Sequence, residues 1–185
     1  MAYKTDNRIF ADIIGVFNGF LSTCGQSGWE VAQAAQPVMM GFHDKAILLS
    51  HVYTVPVGYQ KGVDRDLPVS GGGYRFTHIE NWLEEVRVQV TCFCVRKSTE
   101  TLDTWTAEDM AKMLKTYCNS TAGLWAFNAL GYGKLRHDAV RVRSVVNDSD
   151  SYQLIASFDL ALLHEQTVES AATPATIGSL QIAGI

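Results

Sequence analysis

Apolar residues recur at three- and four-residue spacing near the start of the chain. Ile9, Ile13, Phe17 and Phe20 form a stripe that Phe10, Ile14 and Leu21 widen. That period predicts an amphipathic helix, with Thr5 or Asp6 as its cap and Gly25 where it could stop. Residues 29–40 are weakly patterned, hold only Glu30 as a charge, and contain Pro37, which breaks any helix there. Residues 46–55 are β-branched and aromatic enough to be a buried strand. A polar, glycine-rich stretch follows at residues 58–73 and reads as a long loop.

Strict alternation then returns. In residues 84–96, Val86, Val88, Val90, Cys92 and Cys94 face one way while Arg87, Gln89 and Thr91 face the other. Residues 74–82 can extend the same sheet. Thr106 to Asp109 read as a capping box, with Asp in place of the usual Glu. The helix they open carries Met110, Met113, Leu114 and Tyr117 on one face. Residues 124–131 predict a short apolar helix stopped by glycine. Residues 140–146 alternate as a strand, residues 147–150 make a polar turn, and Tyr152, Leu154, Ala156, Phe158, Leu160 and Leu162 alternate along the next strand. These two strands predict an antiparallel hairpin. The fold class that emerges is α+β: an antiparallel or mixed β-sheet covered by two or three helices, with a long glycine-rich loop and an extended C-terminal arm.

Two units follow, a single domain over residues 1–164 and an arm over 165–185. Residues 170–185 carry no charge and no aromatic ring, yet Ile177, Leu180, Ile182 and Ile185 sit at near-alternating positions. Extended at ~3.3 Å per residue, such an arm reaches about 70 Å, beyond the body's diameter of about 40 Å. It is therefore expected to lie across a neighbouring subunit and add a strand to its sheet.

Composition sharpens this picture. The 185 residues carry a net charge of −4, which argues against a dedicated nucleic-acid binder. Only 18% of residues are charged, against roughly 25% in an ordinary soluble domain. The shortage is concentrated: residues 13–43 hold one charge, and residues 46–60, 116–133 and 170–185 hold none. Surface short of charge is usually hidden against a partner. No apolar run is long enough to span a bilayer, and Asp6 and Asp12 spoil a signal peptide, so intracellular synthesis with reduced thiols is expected.

Candidate chemistry is sparse. Cys92 and Cys94 share a strand face with valines and read as buried hydrophobic residues rather than half a zinc site. His43, His51, His78, His137 and His164 are scattered, and His51 and His164 fall on strand patterns, which suits structural roles. The glycines at 71–73 lack the lysine and following helix of a phosphate loop. No catalytic residue, metal ligand or cofactor is expected. Lys134, Arg136, Arg141 and Arg143 form the basic cluster, and salt bridges across an interface, to carboxylates such as Asp64 and Asp66, are favoured over a DNA channel lining. The candidate subunit-interface residues are Tyr59, Asp64, Arg65 and Asp66 in the loop, Arg141 and Arg143 on the strand, and Ile177, Leu180, Ile182 and Ile185 in the arm.

Several segments together resemble the neck or tail terminator proteins of tailed bacteriophages. They are AQAAQPVMMG from Ala32, ILLSHVYTVPVGYQ, EEVRVQVTCF, TAEDMAKML and the hairpin VVNDSDSYQLIASFDLALLH, with Ser157, Phe158, Asp159 and Leu162 its most suggestive residues. The resemblance spans most of residues 8–164. It implies a small α+β subunit forming a six-membered ring at the head-proximal end of the tail in the virion. Such a ring caps the tail tube, meets the sheath in contractile phages, offers a docking surface to the head connector, and passes DNA only as cargo. The alternatives are another neck component (a connector or a head-completion or gateway protein), or a small cytosolic enzyme or ligand-binding domain built around Trp125 and Phe127.

Overall fold

Helix α1 (Asp6–Thr23) opens at Thr5, whose hydroxyl accepts the backbone N–H of Arg8, and closes at Cys24 ahead of Gly25, which has a positive φ of 67°. Helix α2 (Ala107–Asn119) opens on the reciprocal Thr106–Asp109 capping box anticipated from sequence. It gives way after one residue to α3 (Thr121–Ala129). Ser120 serves both helices: its hydroxyl donates to the Tyr117 carbonyl at 2.7 Å and accepts from the Gly123 N–H at 3.1 Å. The turn is so tight that a Cβ on Gly123 would lie 2.0 Å from the Tyr117 carbonyl oxygen. Only glycine fits there.

The computed structural model describes residues 4–34, 44–68, 74–95, 104–146 and 152–171. Among them six strands form one mixed sheet: β1 (Glu30–Gln33), β2 (Lys45–Pro68), β3 (Tyr74–Cys94), β4 (Tyr132–His137), β5 (Arg141–Val146) and β6 (Tyr152–Ala171). The order across the sheet is β1-β2-β3-β6-β4, with β5 also pairing β6. β1 runs parallel to β2, and every other pairing is antiparallel. The fold is thus α+β, and the β5–β6 hairpin forms as expected, with Val146 opposite Tyr152.

The helices cover one face of the sheet. Ile9, Phe10, Ile13, Val16, Phe17 and Leu21 of α1, Met110, Ala111, Leu114 and Cys118 of α2, and Phe127 of α3 pack onto Ile47, Leu49, Val86, Val88, Val90, Cys92, Phe158, Leu160 and Leu162. Phe17 meets Phe127 edge-on at 6.5 Å, and Phe20 stacks on Tyr117 at 4.3 Å, so rings stitch α1 to both other helices. Cys92 and Cys94 are buried on the valine face, as their alternation predicted.

Four expectations are corrected. Residues 58–68 are not loop: β2 continues to Pro68 and pairs with β3 from Asn81 to Tyr74. The strand tolerates its glycine because Gly58, with φ 87°, sits in the register shift between Val57 and Lys61. The arm does not begin at residue 165, because β6 stays paired with β3 as far as Ala171; residues 172–185 lie outside the described residues. The weak stretch after Trp29 begins with the strand β1, held by parallel pairing to β2. On α2 the buried face runs through Met110, Ala111, Leu114 and Cys118, whereas Met113 is exposed, one step round the helix.

Candidate functional site

The opposite face of the sheet bears no helix among the described residues, and its side chains make a polar and apolar mosaic. Register fixes it: Tyr53 lies opposite Arg87, which lies opposite Ala161, which lies opposite Arg136. Glu85, two residues from Arg87, is the hub. Its carboxylate accepts from Arg136 at 2.7 Å, lies 3.8 Å from the Arg87 guanidinium, and accepts from the Tyr53 hydroxyl at 3.4 Å. Arg87 also lies 3.7 Å from Asp138 and 5.1 Å over the Tyr53 ring. Glu85 is itself buried, on a face without helices among the described residues. Farther along, Arg141 pairs with Asp159 at 2.8 Å.

Beside this network the same face turns apolar. Val55 lies opposite Glu85 and Glu85 opposite Leu163, while Val57 lies opposite Leu83. Val55 is 41% and Leu83 43% exposed, high for aliphatic side chains in mid-strand. A second exposed apolar feature stands on the helix layer. Trp125 of α3 is 74% exposed, next to exposed Leu124, on a helix that contains no charged residue. Exposed tryptophan is a common anchor of protein interfaces.

A third cluster lies inside, where α1 meets the sheet. Asp12 sits on the buried stripe of α1 at 7% exposure. It accepts from the Tyr132 hydroxyl at 3.0 Å and pairs with Lys4 at 3.3 Å and Arg8 at 3.2 Å. The Lys4 ammonium also donates to the Leu130 carbonyl and stands 4.0 Å over the Tyr132 ring. Gln166 clasps the Lys4 main chain on both sides, accepting its N–H at 3.0 Å and donating to its carbonyl at 3.1 Å. The same amide donates to Glu84, which also accepts from the Trp82 indole at 2.7 Å. Burial, reinforced by the Asp12 charge, pushes the Tyr132 phenol far up, so it stays a donor. His164, 2% exposed and 3.8 Å from Glu84, is held below the usual histidine range, chiefly by burial and against the pull of Glu84. No metal-binding group of three or more His, Cys, Asp or Glu occurs among the described residues, and no helix among them is long and apolar enough to cross a membrane.

The candidate residues named from sequence are dispersed. Arg141 and Arg143 are exposed on β5, on the far side of β6 and β3 from β2. The strand that carries Asp64 and Asp66 is thus separated from theirs by β3 and β6, and Arg141 pairs with Asp159. Tyr59, Asp64, Arg65 and Asp66 are placed along β2 by their backbone. Ile177, Leu180, Ile182 and Ile185 lie outside the described residues. A pocket around Trp125 and Phe127 does not form between those two side chains, since Phe127 is fully buried in the core and Trp125 points to solvent. Sequence reasoning named Arg136 within the basic cluster but gave it no partner, and it passed over Glu85 and the Asp12 cluster. Asp12 had a visible signal, an acid on the i, i+3, i+4 stripe between Ile9 and Ile13.

Comparison with protein families finds that the model described as E217 gateway protein gp29 matches residues 10–174. Comparison with curated proteins gives no match.

Proposed function

The chain belongs to the E217 gateway protein gp29 family, which makes it a structural protein of the phage neck, and we propose that it works there as a homo-oligomeric ring. The ring would join neighbouring neck, head and tail proteins and pass DNA through its lumen as cargo. The observation that carries this reading is the family match, which extends over nearly all of the folded body. The surfaces agree with it. A ring subunit needs two unlike lateral patches and further surface for the layers above and below. The helix-free face, with its apolar row at Val55 and Leu83, and the Trp125 knob on the helix side are unlike patches on different sides of the subunit. A count of six comes from the terminator resemblance. On this reading the protein is not an enzyme and needs no cofactor.

The family description favours a gateway, one level of the neck, over the tail terminator expected from sequence. The two roles separate in a phage lacking this protein. A gateway's loss leaves tails of normal length beside heads that fail to join them or leak DNA. A terminator's loss leaves tails of variable length. Negative-stain microscopy of the purified full chain tests the ring itself: closed rings are expected, and a strict monomer at high concentration would overturn the reading.

A further inference from the structure

Beyond the helix layer the sheet narrows to three strands with β3 in the middle. Registers place Lys61, Asn81 and Thr167 side by side, then Gly62, Glu80 and Val168, then Val63, Ile79 and Glu169, then Asp64, His78 and Ser170, then Arg65, Thr77 and Ala171. β1 accompanies β2 only along Ala46–Leu49, and β4 accompanies β6 no farther than His164. Among the described residues, then, neither flank of this ribbon has a neighbouring strand. The β2 flank is open from residue 61 to 68 and the β6 flank from residue 165 to 171. Open strand edges present rows of unpaired N–H and C=O groups that another strand can satisfy.

We propose that the two flanks are a matched pair, the β2 edge of one copy of this chain pairing with the β6 edge of the next, so that the sheet continues from subunit to subunit. The proposal rests on the ring reading above and names the contact that closes the ring. Three observations select a second copy as the occupant. First, the edges lie level, because residues 61–65 and 167–171 flank the same residues of β3. Rotating a copy about an axis along the ribbon therefore brings one edge to the other at the same height. Second, β2 and β6 are each antiparallel to β3, hence parallel to one another. Rotation about such an axis preserves strand direction, so the pair it creates is parallel, as these edges require. Third, the edges differ in charge. The open β6 edge carries exposed Glu165, while the open β2 edge carries exposed Lys61. Level pairing with β2 puts Lys61 beside Thr167, two residues along the edge from Glu165. Two different edges make a heterologous contact, the kind that generates rings.

Disulfide trapping in the full chain tests this, using Lys61→Cys with Thr167→Cys in a Cys24→Ser background. Within one chain these positions stand two strand spacings apart, about 9.6 Å, too far for a disulfide; across the proposed contact they stand about 4.8 Å apart, within range. The expected result on mild oxidation is a reducible ladder of covalent multimers ending at the ring size, with neither single variant forming the ladder. The pair Val63→Cys with Thr167→Cys repeats the test two residues out of register, and circular dichroism checks that each variant folds. Rings by microscopy with no ladder from either pair would overturn the edge contact and leave the ring standing. A dimer from Thr167→Cys alone would overturn it in favour of β6–β6 pairing. Absence of rings in the unsubstituted chain would overturn the ring reading, and the edge contact with it.

Discussion

Replacing Asp12 by alanine should be among the costliest single changes in the chain. Its carboxylate serves three donors, and their exposures decide what each loses. The Tyr132 hydroxyl is buried with its ring, so it would be left without its partner, at about 1–3 kcal/mol. Lys4 has 22% side-chain exposure and keeps the Leu130 carbonyl and the Tyr132 ring, so its loss is smaller, about 1 kcal/mol. Arg8, at 68%, returns to water at a cost of roughly 0–1 kcal/mol. Alanine's better helix propensity gives back about 0.5 kcal/mol. The net loss is about 2–4 kcal/mol, or a fall in Tm of roughly 5–15 °C for a chain of this size. Thermal and urea unfolding would measure it. The double variant Asp12→Ala/Tyr132→Phe supplies the decisive comparison, because removing the stranded hydroxyl should recover about 1–2 kcal/mol relative to additivity. A loss under 1 kcal/mol in the single variant, or an additive cycle, would refute the account of this cluster.

Three further outcomes are expected. Burial holds the folded pKa of His164 below its unfolded value near 6.5, so the unfolded chain binds the extra proton: this group's contribution is complete above about pH 6.5 and falls away as pH drops below it. Urea midpoints should therefore decline from pH 7 to pH 5 in the natural chain and decline less in His164→Phe; equal slopes would count against it. Burial pushes the Cys118 thiol up to about 12 and Cys92 higher still, so both should resist alkylation at pH 8 until the chain unfolds, while half-buried Cys24 reacts first, as read by mass spectrometry. Phe127→Ala should cost about 3–5 kcal/mol, whereas Trp125→Ala should leave the unfolding midpoint nearly unchanged and weaken assembly instead; comparable destabilisation of both would contradict the opposed orientations of these side chains.

What could be read from the sequence depended on whether an element has a covered face. α1, α2, β3 and β6 each press an apolar row against the core, and their periods show plainly in Ile9 to Leu21, Met110 to Cys118, Val86 to Cys94 and Ala156 to Leu162. The outer half of β2 lies beyond the helix layer, so nothing imposes alternation on it, and Gly58 and Gly62 made it look like loop. β1 has only four residues and exists through its neighbour. The Glu85–Arg136 contact joins residues 51 positions apart across two strands, which no local pattern can announce. Arg141 with Asp159 was closer to reach, because the hairpin register that sets Val146 opposite Tyr152 also sets Arg141 diagonally across from Asp159.

The Gln166 clasp on Lys4 closes a loop of 162 residues. A chain growing from its N-terminus makes α1 well before the clasp's second half. At roughly 5–20 residues per second, Asp12 and Lys4 wait on the order of 10–30 s before Gln166 leaves the ribosome. Throughout that interval β6, which lies between β3 and the β4 and β5 strands, is missing as well. Such non-local closure is slow and comes late. A truncated or half-made subunit would thus lack the seal on its first helix together with the last strand of its sheet. Folding order thus ties the closing of the first helix to the completion of the sheet.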